Sequence, residues 1–182
     1  SELGPIDLAI LNAGVWDPMG ASGYHAERAA ATMAVNYGGL TTALEPLMPA
    51  MIGRRAGHIA IVASVAGYRG LPKAISYAPS KAAAISYCES LRGECAAAGV
   101  KVVTILPGYI DTPLTRGNRY SMPFLMPADD FADSAFQAII AGDSYRVIPW
   151  QMGLVAKLLR LLPNALFDRA LRGRQRKQRQ RH

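Results

Sequence analysis

The sequence predicts an α/β fold, a doubly wound parallel sheet with helices on both faces. Three observations carry this. Short apolar runs alternate with long helical stretches, the pattern of strand–helix–strand units. The strand runs are continuously apolar, as a sheet covered on both faces requires. Each of the longer runs stops at turn-forming or small polar residues, Asn12-Ala13-Gly14, Ser64 and Pro107-Gly108, at the strand ends where ligands gather in open α/β sheets.

The elements follow in order. Residues 6–11 form a strand that ends in the Asn12-Ala13-Gly14 loop. Residues 29–52 read as a long apolar helix, with Pro46 and Pro49 marking a kink or stop near its end. Gly57 precedes a β-branched strand at 58–63, and 77–98 is a second long helix stopped by Gly99. A third strand spans 101–106. Residues 113–126 are irregular and rich in Pro and Met. A helix at 128–141, a short strand at 145–148 and apolar helices at 152–162 and 165–171 complete the chain.

The 182 residues suffice for one domain with a sizeable core. Half of them are apolar and 18% are charged, which excludes a disordered chain. No apolar run reaches the 18 or so residues of a membrane-spanning helix. The organisation is read as a domain over 1–150, an apolar helical extension over 151–172 and a basic tail over 173–182, expected to be disordered. The net charge of +7 resides wholly in Arg169, Arg172, Arg174, Arg176, Lys177, Arg179 and Arg181; residues 1–168 balance 13 basic against 13 acidic groups. The charge therefore says nothing about the domain's substrate, and nucleic acid is not the expected partner. Cys88 and Cys95 lack the spacing and companion ligands of a metal site and read as reduced thiols of a cytoplasmic protein.

Tyr77-Ala78-Pro79-Ser80-Lys81 places a phenol and an ammonium one turn apart on the same helix face. Pro79 is tolerated because first-turn amides lack intrahelical acceptors. Ser64, after the second strand, can meet Tyr77 in space. A phenol is a poor acid–base catalyst at its ordinary pKa of about 10. A cation at ~4 Å and an effective dielectric of ~20 would favour the phenolate by about 4 kcal/mol, roughly three pKa units. That would bring Tyr77 towards operating pH.

Taken together, these residues resemble the short-chain dehydrogenase/reductase family. Its YxxxK motif matches Tyr77 to Lys81, its catalytic serine Ser64, its NAG motif Asn12-Ala13-Gly14, its tetrad asparagine Asn36, and its PG motif Pro107-Gly108 with Ile110 and Thr112 following. A lone YxxxK is weak; five motifs in order from Ile6 to Thr112 are specific.

The resemblance implies a Rossmann-like domain and a hydride transfer between NAD or NADP and a carbonyl or secondary alcohol. Tyr77 would be the general acid/base and Ser64 would hold the substrate oxygen. Lys81 would bind the nicotinamide ribose and lower the Tyr77 pKa, and Asn36 would hold a relay water. Asn12, Ala13, Gly14, Pro107, Gly108, Ile110 and Thr112 would join Tyr77 and Lys81 around the cofactor. Ser64, Ala66, Tyr68, Tyr109 and Met122 would line the substrate pocket, with Trp16 at its border and Leu114, Phe124 and Met126 forming an apolar lid. Arg116 and Arg119 read as a solvated loop face rather than an anion site. A small-molecule substrate and a homodimer or homotetramer contacting through helices 29–52 and 77–98 are further expectations.

The family's opening strand, glycine-rich turn and helix have no counterpart in these residues, so the chain reads as about the second half of the domain. It opens at Ser1 with neither an initiating Met nor a secretory signal, is expected to be a truncated part of a full enzyme, and should be inactive alone. A non-catalytic scaffold is the alternative class. A helix packed on the domain or across a subunit interface is favoured for 152–171, over a membrane-surface segment of a lipid-modifying reductase reaching through 152–182.

Overall fold

The computed structural model describes residues 4–118 and 121–179. Its elements run β1 (Leu8–Leu11), α1 (Ala26–Met33), a π-helical turn (Ala34–Gly38), α2 (Gly39–Gly53), β2 (Gly57–Val62), α3 (Tyr77–Ala97), β3 (Val100–Pro107), β4 (Ile110–Asp111), α4 (Pro113–Arg116), β5 (Met126–Pro127), α5 (Ala128–Ala141), β6 (Tyr145–Ile148), α6 (Trp150–Leu161) and α7 (Asn164–Arg179).

Four strands form a parallel sheet in the order β1-β2-β3-β6. Leu8 pairs with His58, Ile59 with Val102 and Thr104 with Tyr145. The strand period of two sends alternate residues to opposite faces. Ile59, Ile61, Val102 and Leu106 therefore pack with Leu40, Leu44, Met51, Ala84 and Cys88 from α2 and α3. Ala60, Val103 and Ile105 pack on the other face with Ala135, Ala138 and Ile139 of α5 and with Ile148. Each fully buried aliphatic side chain contributes about 1.5–3 kcal/mol, which makes both faces necessary to the domain.

The α/β class and the parallel sheet stand as the sequence predicts. Three expectations change. The long helix does not stop at Pro46 or Pro49 but runs to Gly53; Leu44 and Met51, buried on either side of the prolines, hold both halves to the sheet. The stretch expected to be irregular opens with α4 and is bracketed by the small β4–β5 pair. The last helix continues to Arg179, through most of the segment expected to be a disordered tail; its Arg, Lys and Gln residues are good helix formers. Among the described residues no helix is long and apolar enough to cross a membrane. Cys88 and Cys95 are both buried and free, and burial pushes the Cys88 thiol up to about 11.

Candidate active site

The carboxyl end of β2 and the start of α3 build the site together. Ser64 follows β2 and caps a single 3-10 turn, Val65–Gly67, by accepting the Ala66 N–H at 3.1 Å. Gly67 presses that turn onto α3: a Cβ there would lie 2.8 Å from the Lys81 carbonyl carbon and 2.9 Å from the Ala82 nitrogen. Only the absence of a side chain permits this approach. Tyr77 and Lys81 occupy the first two turns of α3. Lys81 is 4% exposed. Its Nζ donates to the Val62 carbonyl at 3.0 Å and lies 5.9 Å from the Tyr77 ring centre. The Trp16 ring meets Tyr77 edge-on, with centroids 4.9 Å apart.

Asn36 sits in the π-helical turn and is 1% exposed. A π turn inserts an extra residue and aims a side chain off the regular helical face. Asn36 Oδ1 accepts the Val15 N–H at 2.8 Å, and its Nδ2 donates to the Val15 carbonyl at 3.0 Å and to Ser80 Oγ at 2.9 Å. Ser80 Oγ in turn donates to the Tyr77 carbonyl at 2.8 Å. The loop after β1 is thus stapled to the first turn of α3. Gly14 completes the junction, since its Cβ position lies 3.4 Å from both Asn36 Oδ1 and Lys81 Nζ.

One expectation about these residues is corrected. Burial raises the Tyr77 phenol above its ordinary pKa, with the Ser64 hydroxyl opposing as a hydrogen-bond partner. The expected net lowering is therefore not what burial leaves, and the Lys81 ammonium donates to the Val62 carbonyl. Lys81 itself is brought down to about 8, because burial disfavours its charge. The amide of Asn36 gives both donors to protein acceptors, so a water beside it would be held through an acceptor oxygen.

The remaining candidates divide. Asn12, Ala13 and Gly14 form an exposed loop beside Lys81. Gly108 bonds its N–H to the Ile148 carbonyl at 2.8 Å, and a Cβ would lie 2.6 Å from Met152 Cγ. Its glycine is explained by the approach of α6, whatever else Pro107-Gly108 does. Ile110 is buried in β4, and Thr112 caps α4 through a capping box with Thr115. Ala66 stays beside Ser64. Tyr109 is partly buried and its carbonyl binds the Met126 N–H at 3.0 Å.

Tyr68 is partly buried; its hydroxyl accepts from the Tyr145 hydroxyl at 2.9 Å and its ring packs against the core cluster of α2 and α3. Met126 pairs in β5 and packs on the α5 side of the sheet. Met122 is half-buried, while Leu114 and Phe124 are exposed. Arg116 pairs with Asp111 at 3.0 Å, and Arg119 lies outside the described residues.

Sequence reading missed three contributors, Ser80, Gly67 and Arg69. The Arg69 Nη1 donates to the carbonyls of Leu159, Arg160 and Leu162 at 2.7, 3.1 and 2.6 Å. Its Nη2 donates to Asn164 Oδ1 at 2.9 Å, and the guanidinium lies 3.9 Å over the Phe167 ring. Only Ser80, lying inside the YxxxK motif, had a signal in the sequence.

The residues present fit one end of a nicotinamide cofactor. An ammonium has three donors and Val62 takes one of those of Lys81, leaving donors beside the open 12–14 loop for ribose hydroxyls. No glycine-rich turn follows a strand in the sequence, so the phosphates have no cradle of the expected kind.

Comparison with known proteins agrees with this geometry. The family model for short chain dehydrogenases matches residues 1–122. An uncharacterized oxidoreductase of Myxococcus xanthus is 37% identical over 172 residues, covering 94% of this chain and 68% of its own length. Human 17-beta-hydroxysteroid dehydrogenase 13 is 28% identical over 165 residues, covering 89% and 55%. The crystal structure of a short chain dehydrogenase from Burkholderia cenocepacia in complex with NADP superposes with a TM-score of 0.79 at 30% identity, over 91% of this chain and 69% of that one. The chain thus spans from about half to about two thirds of these relatives. With the motifs, the sheet and the matched residues in agreement, the chain belongs to the short-chain dehydrogenase family.

Proposed function

We propose that the protein containing this chain is an NAD(P)-dependent oxidoreductase acting on a small carbonyl or secondary alcohol, with Tyr77 as general acid/base. The observation that carries this reading is the meeting of Ser64, Tyr77 and Lys81 where β2 ends and α3 begins. A bound nicotinamide would supply or accept the hydride.

Burial keeps Tyr77 protonated at neutral pH, which suits it to donate to a carbonyl oxygen as negative charge develops there. Ser64 orients that oxygen and shares its charge. Lys81 holds the ribose and returns a proton to the phenol; its pKa near 8 lets it exchange protons near neutrality. Asn36 acts as a positioning residue, fixing the 12–15 loop against α3. NADP in the Burkholderia relative supports testing that cofactor first. The half-exposed groove of Met48, Ile52 and Leu91 between α2 and α3 supports a homo-oligomer through those helices, and the two buried free thiols suit a cytoplasmic setting.

The test is a carbonyl substrate screen on the complete protein containing these residues, following NADPH oxidation, with Tyr77→Phe beside it. Turnover should fall by about 10²–10⁴ while NADPH binding persists. Unchanged turnover in Tyr77→Phe would overturn the assignment.

A further inference from the structure

The helix α6 has two apolar faces. Met152, Gly153 and Ala156 are buried against the domain. Trp150, Leu154, Leu158 and Leu161 are 65%, 55%, 66% and 80% exposed. At 3.6 residues per turn these four fall within an arc of roughly 80° on the side away from the buried face. Leu166, at the start of α7, is also exposed. Scattered exposed leucines need no explanation, but an ordered stripe led by a tryptophan does.

The charge around the stripe selects its occupant. Residues 150–182 contain nine Lys and Arg residues and a single acid, Asp168, while residues 1–149 carry twelve acids against eleven bases. Lys157 and Arg160 are exposed on α6 itself, and Arg169 is exposed on α7. A second copy would bring this excess of positive charge against its own like. Nucleic acid would answer the charge and leave the stripe without a partner. An anionic lipid surface answers both, taking the apolar side chains below its headgroups and attracting the basic residues to them. The helix has 12 residues, too few to span a bilayer and enough to lie on one.

Arg69 holds this arrangement in place. Its guanidinium binds the last carbonyls of α6 and the first side chain of α7 and stacks on Phe167, so the elbow between the helices is fastened to the domain with the stripe outward. The helix α6 packs against β6, at the sheet edge opposite β1.

We propose that α6 forms a monotopic docking surface for anionic phospholipid bilayers, with the basic residues that follow it in sequence adding attraction. This stands independently of the oxidoreductase reading. The full chain is sedimented with vesicles of phosphatidylcholine alone and of phosphatidylcholine containing phosphatidylserine, at low and high salt. Binding should appear with phosphatidylserine, weaken with salt, and fall at least about tenfold in Leu154→Glu/Leu158→Glu. Both positions are exposed, so the fold should survive the change. Trp150 emission should shift to the blue on binding, and the shift should disappear in Trp150→Phe. Equal sedimentation of the unmodified chain and the double variant overturns the proposal, as does equal binding to both vesicle types. So does a dimer that the double variant dissociates while vesicle binding is unchanged, which would assign the stripe to a second copy.

Discussion

The side-chain amide of Asn36 brackets the backbone of Val15, accepting its N–H and donating to its carbonyl as a neighbouring strand would. Asn36 is buried and the pairing partly so, and it joins residues 21 apart in sequence. Asn36→Ala would leave the Val15 groups and the Ser80 hydroxyl without their partner. Each stranded buried group costs about 1–3 kcal/mol. The expected loss is about 2–4 kcal/mol of unfolding free energy, read by urea denaturation. Asn36→Asp keeps the acceptor and loses both donors, so it should rescue only part of this. Full rescue would mean the donors are dispensable.

Gly67 is the tightest point of the Ser64 turn. Gly67→Ala places a methyl within 2.9 Å of α3 backbone, and backbone cannot step aside as a flexible side chain would. The turn must lift, carrying Ser64 from Tyr77. We expect about 1–3 kcal/mol of destabilisation together with a fall in kcat. Gly70→Ala, where a Cβ meets nothing, should leave kcat unchanged and serves as the control.

Lys81 links stability to alkaline pH. Its folded pKa is depressed to about 8, below the ordinary lysine value of about 10.4. Between those values the unfolded chain binds a proton that the folded chain does not, so stability rises with pH through this window. Below pH 8 the burial cost is present in full, about 3 kcal/mol. Denaturation of the unmodified chain and of Lys81→Met from pH 7 to 10 should show the difference between them moving in the unmodified chain's favour. A constant difference would contradict the assignment.

Arg69→Ala should loosen the C-terminal elbow selectively. The guanidinium serves three carbonyls, one side chain and one ring, and lysine lacks the planar fork to replace it. Amide exchange across residues 159–167 should accelerate at least about tenfold in both Arg69→Ala and Arg69→Lys, with β2 and β3 unaffected. Equal protection in the lysine variant would show that charge alone suffices.

What the sequence reveals here follows from periodicity. The strands and long helices are legible because continuous apolar runs and helical spacing reflect burial directly, and α5 and β6 match their expected limits residue for residue. The Tyr77, Lys81 and Ser64 grouping is legible because two of its members share a helix and the third ends a strand. What stays hidden depends on long-range partners. Nothing near Asn36 announces Val15, and nothing near Arg69 announces carbonyls ninety residues on. The geometry of Lys81 is hidden for the same reason: spacing places it by Tyr77, but the free Val62 carbonyl at the end of β2 decides where its ammonium goes.

The register of the sheet bears on how the chain reaches this state. Leu8 meets His58, Ile59 meets Val102 and Thr104 meets Tyr145, so every strand pair of the four-stranded sheet closes a loop of roughly 40–50 residues before it gains any stabilisation. Among the described residues no hairpin offers a local start. Folding should therefore be slow for a chain of this length and should begin where one closure is rewarded most, at β2 and β3 with α3 between them. Until β1 and β6 arrive, both edges of that central pair are open to other chains, and the interval of greatest exposure to aggregation falls early in folding.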